Sequence, residues 1–399
     1  MDTFDWILRN GRLDDQAPLT DLAIHAGKIA RIAPALAGMG SNEWELNGCV
    51  IMPGMVDLHT HLDKTYFNIA NQSGTLLEAI MVWRANKHHD MRNRIRAGMS
   101  RALKQAIRYG TTAIRTHVDI ELQSDLVALE TVLEVREQFK EQIDLQIVAL
   151  GGLTRTHEAD AAVASALDMG AEFVGGAPAL EENPEAALLA VFKEAERTGK
   201  PIDLHIDETE DPAMRTLERL ADLTIAHGLQ GQVTAGHCCS LAFMQPTDAQ
   251  RIIDKVAKAQ ITIISLPSCN LVLMGRSHFP APRGVTRIKE LRAAGVNVCA
   301  ASDNVCDPFN PLGNYDLLQI ANLTAHVAHM SGSEEIAACL QMVSSNPAKT
   351  FYGNREGIVE GAKADLVILD TQCIAEMVPQ LPTRLGTFKD GKLVVTIGP

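Results

Sequence analysis

The sequence predicts an α/β protein, a (β/α)8 TIM-type barrel with a small β-sandwich domain formed by both chain ends. Three observations carry this. Eight apolar, strand-like runs alternate with helix-period segments between residues 55 and 351. Both ends of the chain read instead as short strands joined by tight turns. Polar residues gather at the C-terminal ends of the central strands, where a buried parallel strand otherwise stays apolar.

The first stretch, residues 1–54, contains WILRNGRL, with an Asn-Gly turn signal, and LAIHAGKIARIAP, two strands around Ala-Gly-Lys. The barrel strands expected from residue 55 onward are MVDLHTH, TTAIRTHVDI, IDLQIVAL, FVGGAPA, PIDLHIDE, QVTAGHCC, ITIISLPS and VNVCAASDN. Between them lie amphipathic helical segments such as SDLVALETVLEVREQFKEQ and PEAALLAVFKEAERTGK. Residues 352–399 return to strands, with ADLVILD and a hairpin in FKDGKLVVTIG around Asp390-Gly391. These would pair with 1–54 to complete the small domain, leaving 55–351 as the barrel.

Composition narrows the function classes. The 399 residues are 46% hydrophobic and 21% charged, as in an ordinary globular protein. The 36 basic and 49 acidic residues leave a net charge of −13, which argues against nucleic-acid polymers as partners. The 8 cysteines are scattered without a CxxC pair and read as reduced, buried thiols. The start, MDTFDWILRN, lacks the apolar core of a signal peptide, and no run has the ~18 apolar residues of a membrane span. A cytoplasmic location follows as an expectation, with no membrane partner.

The strand ends hold the chemistry. In VDLHTHLDKTY, His59 and His61 share one face, because alternate strand residues point the same way. His117 and Asp119 end the second strand, and His205, Asp207 and Glu208 the fifth. His237 ends the sixth, and Asp303 and Asn304 the eighth. A lone buried histidine is usually a packed core residue, but five strands each ending in metal-type donors point to a metal site. His59, His61, His205 and Asp303 form the expected ligand set. Imidazoles plus a carboxylate suit one divalent ion, Zn2+ or Fe2+, better than calcium or magnesium. Such an ion leaves a position for a water made acidic enough to attack an unsaturated carbon. Glu208, His237 and Asp303 are the candidate catalytic residues. Glu208 would be the acid or base, His237 would polarise the water or shuttle a proton, and Asp303 would accept a proton while ligating. His117 reads equally as support for a ligand or as plain structure. FVGGAPA has no lysine to bridge two metals, so the site is expected to be mononuclear.

These residues carry a family resemblance. The HxH after Pro53-Gly54, together with NQSGTLLEAI, RTHVD, IDLQIVA, LHIDET, GVTRIKEL with NVCAASDN, and DPFNPLG, resembles the amidohydrolase superfamily in its cytosine deaminase-like branch. The resemblance spans most of the chain. It implies a barrel with one iron or zinc ion on His59, His61, His205 and Asp303. Glu208 would protonate a ring nitrogen, and His237 would sit beside the nucleophilic water. The substrate would be a small heterocycle, and the protein a homo-oligomer. Leu76, Leu150, Gly152, Asn304 and Phe309 fall at positions that line the family's base pocket. Two depart from the pattern: Gly152 stands where cytosine deaminase reads the base with a glutamine, and Asn304 replaces a second aspartate. The resemblance thus implies a hydrolytic deaminase of cytosine or of a 5-substituted cytosine such as 5-methylcytosine. Hydrolysis of another amino- or alkylamino-heterocycle is the alternative: an s-triazine such as N-alkylammelide, isocytosine, or a creatinine-like cyclic amidine. A non-catalytic binding barrel is the reading from another class, and the complete donor set speaks against it.

Overall fold

The computed structural model describes residues 3–151, 156–276, 278–353 and 357–397. Eight parallel strands run in chain order: Met55–Thr60, Thr111–Ile120, Asp144–Gly151, Phe173–Gly176, Ile202–Ile206, Val233–His237, Thr262–Ser265 and Val298–Ala300. All eight coincide with strands expected from the sequence. The barrel closes just past the eighth strand, where Asp303 bridges Thr60 in parallel and its amide donates to the His59 carbonyl at 2.9 Å.

Local chemistry accounts for the helices that separate the strands. Pro184–Thr198 starts at Asn183, whose side chain accepts the Ala186 amide at 3.0 Å, has proline in its first turn, and stops at left-handed Gly199. Pro246–Lys258 buries Ala249, Ile252, Ile253 and Val256, one stripe at helical spacing. Leu188, Val191, Ile252 and Val256 join Leu204, Ala235 and Ile263 in the main apolar core between helices and strands.

The chain ends form two four-stranded sheets. One orders Lys28–Ala33, Thr20–His25, Thr3–Gly11 and Met39–Glu45; the other orders Lys392–Thr396, Arg384–Lys389, Leu366–Leu369 and Val50–Pro53. Leu8, Leu22, Ile24, Ile51, Leu366 and Phe388 pack between them. The hairpins at Ala26-Gly27 and Asp390-Gly391 form as expected, with positive φ at both turn residues. Asn10-Gly11 does not make a turn. Thr3–Gly11 is one strand, and left-handed Asn10 marks a register shift between Leu8 and Gly11, a bulge. An Asn-Gly pair supplies positive φ to either device, and pairing with strands on both sides keeps this one extended. No helix among the described residues is long and apolar enough to cross a membrane.

Candidate metal centre and active site

The short strands set the site. His59 lies within Met55–Thr60 and His61 just beyond it, on the same face; His205 lies on Ile202–Ile206. Parallel pairing then puts His205 opposite Gly236. Gly236 must lack a side chain, since a Cβ there would come 2.9 Å from His59 Cε1. The result is convergence. His205 Nε2 is 3.2 Å from His59 Nε2 and 3.1 Å from His61 Nε2. Asp303 Oδ1 is 3.6 and 3.4 Å from the same two nitrogens. All four residues are buried.

Neighbouring imidazole nitrogens and a carboxylate that meet this way repel or leave lone pairs unmatched unless something positive sits between them. Both Asp303 oxygens are buried without a hydrogen-bond partner. Donors at roughly 2.0–2.2 Å from a tetrahedral zinc would sit a little over 3 Å apart, the spacing seen here. The donor set therefore fits one divalent ion. Burial also prepares the donors: it holds all three imidazoles below their usual range, His205 at about 3, so their lone pairs are free at neutral pH. Burial pushes the Asp303 carboxyl up to about 7. Among the described residues FVGGAPA supplies no lysine, and none is needed for a single ion.

Glu208 and His237 flank this quartet. Glu208 Oε1 lies 3.2 Å from His237 Nδ1, which Asn270 Nδ2 also approaches at 3.0 Å. With Nδ1 accepting from Asn270, the ring carries its proton on Nε2, which is buried without a protein partner. Burial, reinforced by the Asp303 charge, keeps the Glu208 carboxyl well above the usual carboxylate range. A carboxyl whose acid form is favoured in this way can donate a proton to a substrate. His237 and Asp303 both sit in the left-handed region, at φ 66° and 57°. For non-glycine residues this backbone costs on the order of 1–3 kcal/mol and clusters at functional sites.

A cavity opens onto His61, His205, Glu208 and His237. Leu76, Leu150, Asn304 and Phe309, all expected from the sequence, line it. Gly152 lies outside the described residues; its neighbour Gly151 is on the wall. Asn304 is fixed by donating to Asp307 Oδ2 at 2.6 Å.

Sequence reasoning missed one feature of the wall. Lys64 is buried, with Nζ 2.7 Å from Asp119 Oδ1, 3.2 Å from His61 Nδ1, and 5.3 Å from the centre of the Trp83 ring. Trp83 Nε1 donates to the other Asp119 oxygen at 2.7 Å. Burial opposes the Lys64 charge, but Asp119 and Asp63 outweigh it and raise its pKa. The signal was present in HLDK and RTHVD, but 55 residues separate the partners, and no local period joins them.

Known proteins resemble this chain over nearly its whole length. The model of the family described as "Amidohydrolase family" matches residues 88–395. A pterin deaminase from Rhizobium rhizogenes is 34% identical over 94% of this chain and 87% of its own. An N-isopropylammelide isopropyl amidohydrolase from a Pseudomonas species is 27% identical, covering 98% and 97%. Among solved structures, 5-methylcytosine deaminase from Klebsiella pneumoniae, liganded with phosphonocytosine, superposes with a TM-score of 0.93 at 32% identity, covering 98% of both chains.

Proposed function

Because the chain belongs to the amidohydrolase family and is a hydrolase of heterocyclic C–N bonds, we propose that it is a metal-dependent deaminase of a free amino-pyrimidine, cytosine or a 5-substituted cytosine such as 5-methylcytosine. The observation that carries this reading is Glu208, a buried carboxyl 3.2 Å from His237 Nδ1 on the wall of the cavity that holds a three-histidine, one-aspartate quartet. A divalent ion, zinc or ferrous iron, held by His59, His61, His205 and Asp303 would supply a nucleophile at neutral pH by lowering the pKa of a water.

The chain's own residues do the rest. Phe309 offers a flat face to the planar ring. Glu208 delivers its proton to the ring nitrogen as water attacks the amino-bearing carbon. His237, with its proton on Nε2, holds the attacking oxygen. The attacking oxygen gives up both its protons, one to the departing nitrogen and one to restore Glu208, so ammonia leaves and the ring carbon becomes a carbonyl. Asn304, neutral and tied to Asp307, leaves the neighbouring ring position free of a carboxylate. That suits a methyl or other substituent at carbon 5.

A second reading is a two-ring amino-heterocycle such as a pterin. The relative 34% identical to this chain is a pterin deaminase, and Leu180, Arg84 and Glu121 also line the cavity. Ammonia release by the metal-loaded protein separates the readings. Cytosine, 5-methylcytosine, isocytosine, pterin, creatinine and an aminotriazine are compared, with Glu208→Gln as control. Turnover of a cytosine, lost in the control, supports the first reading. Turnover of pterin alone selects the second. Silence on all rings with metal bound rejects deamination of these classes.

A further inference from the structure

Beneath the quartet the barrel interior is polar where apolar side chains usually fill it. Arg115 and His117 alternate on the second strand, and Asp203 and His205 on the fifth. Arg115 Nη1 binds Asp203 Oδ2 at 2.7 Å, and its Nε donates to Gln146 Oε1 at 3.0 Å. The second Asp203 oxygen points elsewhere. It lies 3.6 Å from His117 Nε2. Asp203 Oδ1, both His117 nitrogens and His59 Nδ1 are all buried without a hydrogen-bond partner, although donor atoms of the three residues lie within 4.8 Å of one another. His117 also touches the ligands themselves. Its ring centre is 4.1 Å from that of His59 and 4.8 Å from that of His205.

Buried polar atoms left unpaired on three adjoining residues call for a partner. Two kinds fit. A second cation would find the Asp203 charge already matched by Arg115, and would sit against the divalent ion that the quartet is built for. A water needs only two to four polar partners, and this cluster offers them. It would accept from His59 Nδ1–H, donate to Asp203 Oδ1, and be held by His117. A ligating histidine commonly passes its second N–H to a carboxylate, which fixes the tautomer and leaves the other nitrogen's lone pair for the metal. We infer that His117 and Asp203 are positioning residues for the metal centre, holding His59 in its Nδ1–H tautomer through an internal water, with Arg115 fixing the orientation of Asp203 through the 2.7 Å contact to its other oxygen.

This rests on the quartet binding one metal ion, which the wild-type stoichiometry checks independently. The test uses the full chain and zinc, with affinity read by competition with a chelating dye. Asp203→Asn and His117→Leu are expected to weaken zinc binding 10- to 100-fold each. His117→Gln, which keeps a donor and an acceptor, should recover most of that loss. The double variant should be little weaker than either single one, because both act through one water. ¹⁵N-histidine spectra should show His59 protonated on Nδ1 in the wild type and exchanging tautomers in Asp203→Asn. A packing role alone would lower the unfolding temperature of the apoprotein without changing zinc affinity or tautomer. Unchanged affinity and tautomer in Asp203→Asn and His117→Leu overturn the inference. Two zinc ions per wild-type chain, one of them lost in His117→Gln, also overturn it in favour of a second metal site.

Discussion

Asp303 and His59 are joined twice. The Asp303 amide donates to the His59 carbonyl at 2.9 Å, and its carboxylate Oδ1 lies 3.6 Å from His59 Nε2. The backbone contact that closes the barrel thus also sets the distance between two metal-type donors. Thr60 adds a third tie, its hydroxyl donating to the Asp303 carbonyl at 2.7 Å.

Asp303→Asn should therefore separate closure from charge. The amide keeps the backbone contacts, so the fold should persist by circular dichroism. The neutral side chain removes the only anionic donor of the quartet. Elemental analysis should show one divalent ion per wild-type chain and much less than one in the variant, with activity lost in parallel. Full metal content with full activity in Asp303→Asn would sink the assignment of the site.

Glu208→Gln should keep the metal and lose the chemistry. A positioned general acid contributes about 10²–10⁴-fold, and that loss in kcat is expected at unchanged metal content. The pH profile has a definite sign. Burial and the Asp303 charge raise the Glu208 pKa, so its acid form persists to higher pH than that of a free carboxyl. kcat should stay level while that form persists and fall on the alkaline side as the proton is lost. A kcat that climbs steadily with pH contradicts the role.

Asn304→Asp places a second carboxylate 2.6 Å from Asp307, whose own pKa burial pushes up to about 6 even with the Asn304 hydrogen bond opposing it. Two adjacent buried carboxyls raise each other's pKa. A raised carboxyl pKa gives stability at low pH that is lost as pH rises through the folded-state value. Urea unfolding of the apoprotein should show the variant about 1–3 kcal/mol less stable than wild type at pH 8 and close to it at pH 5. Equal deficits at both pH values would mean that packing, not charge, dominates.

Lys64→Met removes the cation between Asp119 and Asp63. Trp83 still donates to Asp119, but Asp63 stays buried and the partly buried Asp119 loses the cation it touches. Breaking a buried pair on one side costs roughly 3–5 kcal/mol, and urea midpoints should fall accordingly. A midpoint within experimental error of wild type would show that solvent reaches this part of the wall.

Much of this protein was legible in its residues. Strand period alone put His59 and His61 on one face, and apolar runs ending in His117, His205, His237 and Asp303 marked the mouth of a barrel. These signals are local, because a strand's two-residue alternation is written in consecutive letters. The Asn10-Gly11 bulge was misread for the same reason: positive φ is a local demand, whereas turn or bulge depends on which strands pair alongside. What only the tertiary structure decided is longer in range. Barrel closure brings His205 within 3.1 Å of His61 across 144 residues and Asp303 within 3.4 Å. It also pairs Lys64 with Asp119, and Arg115 with Asp203 beneath the metal centre. No residue spacing encodes those contacts. They follow from the register of eight strands wound into one closed sheet, and that register is set by the packing of the whole core.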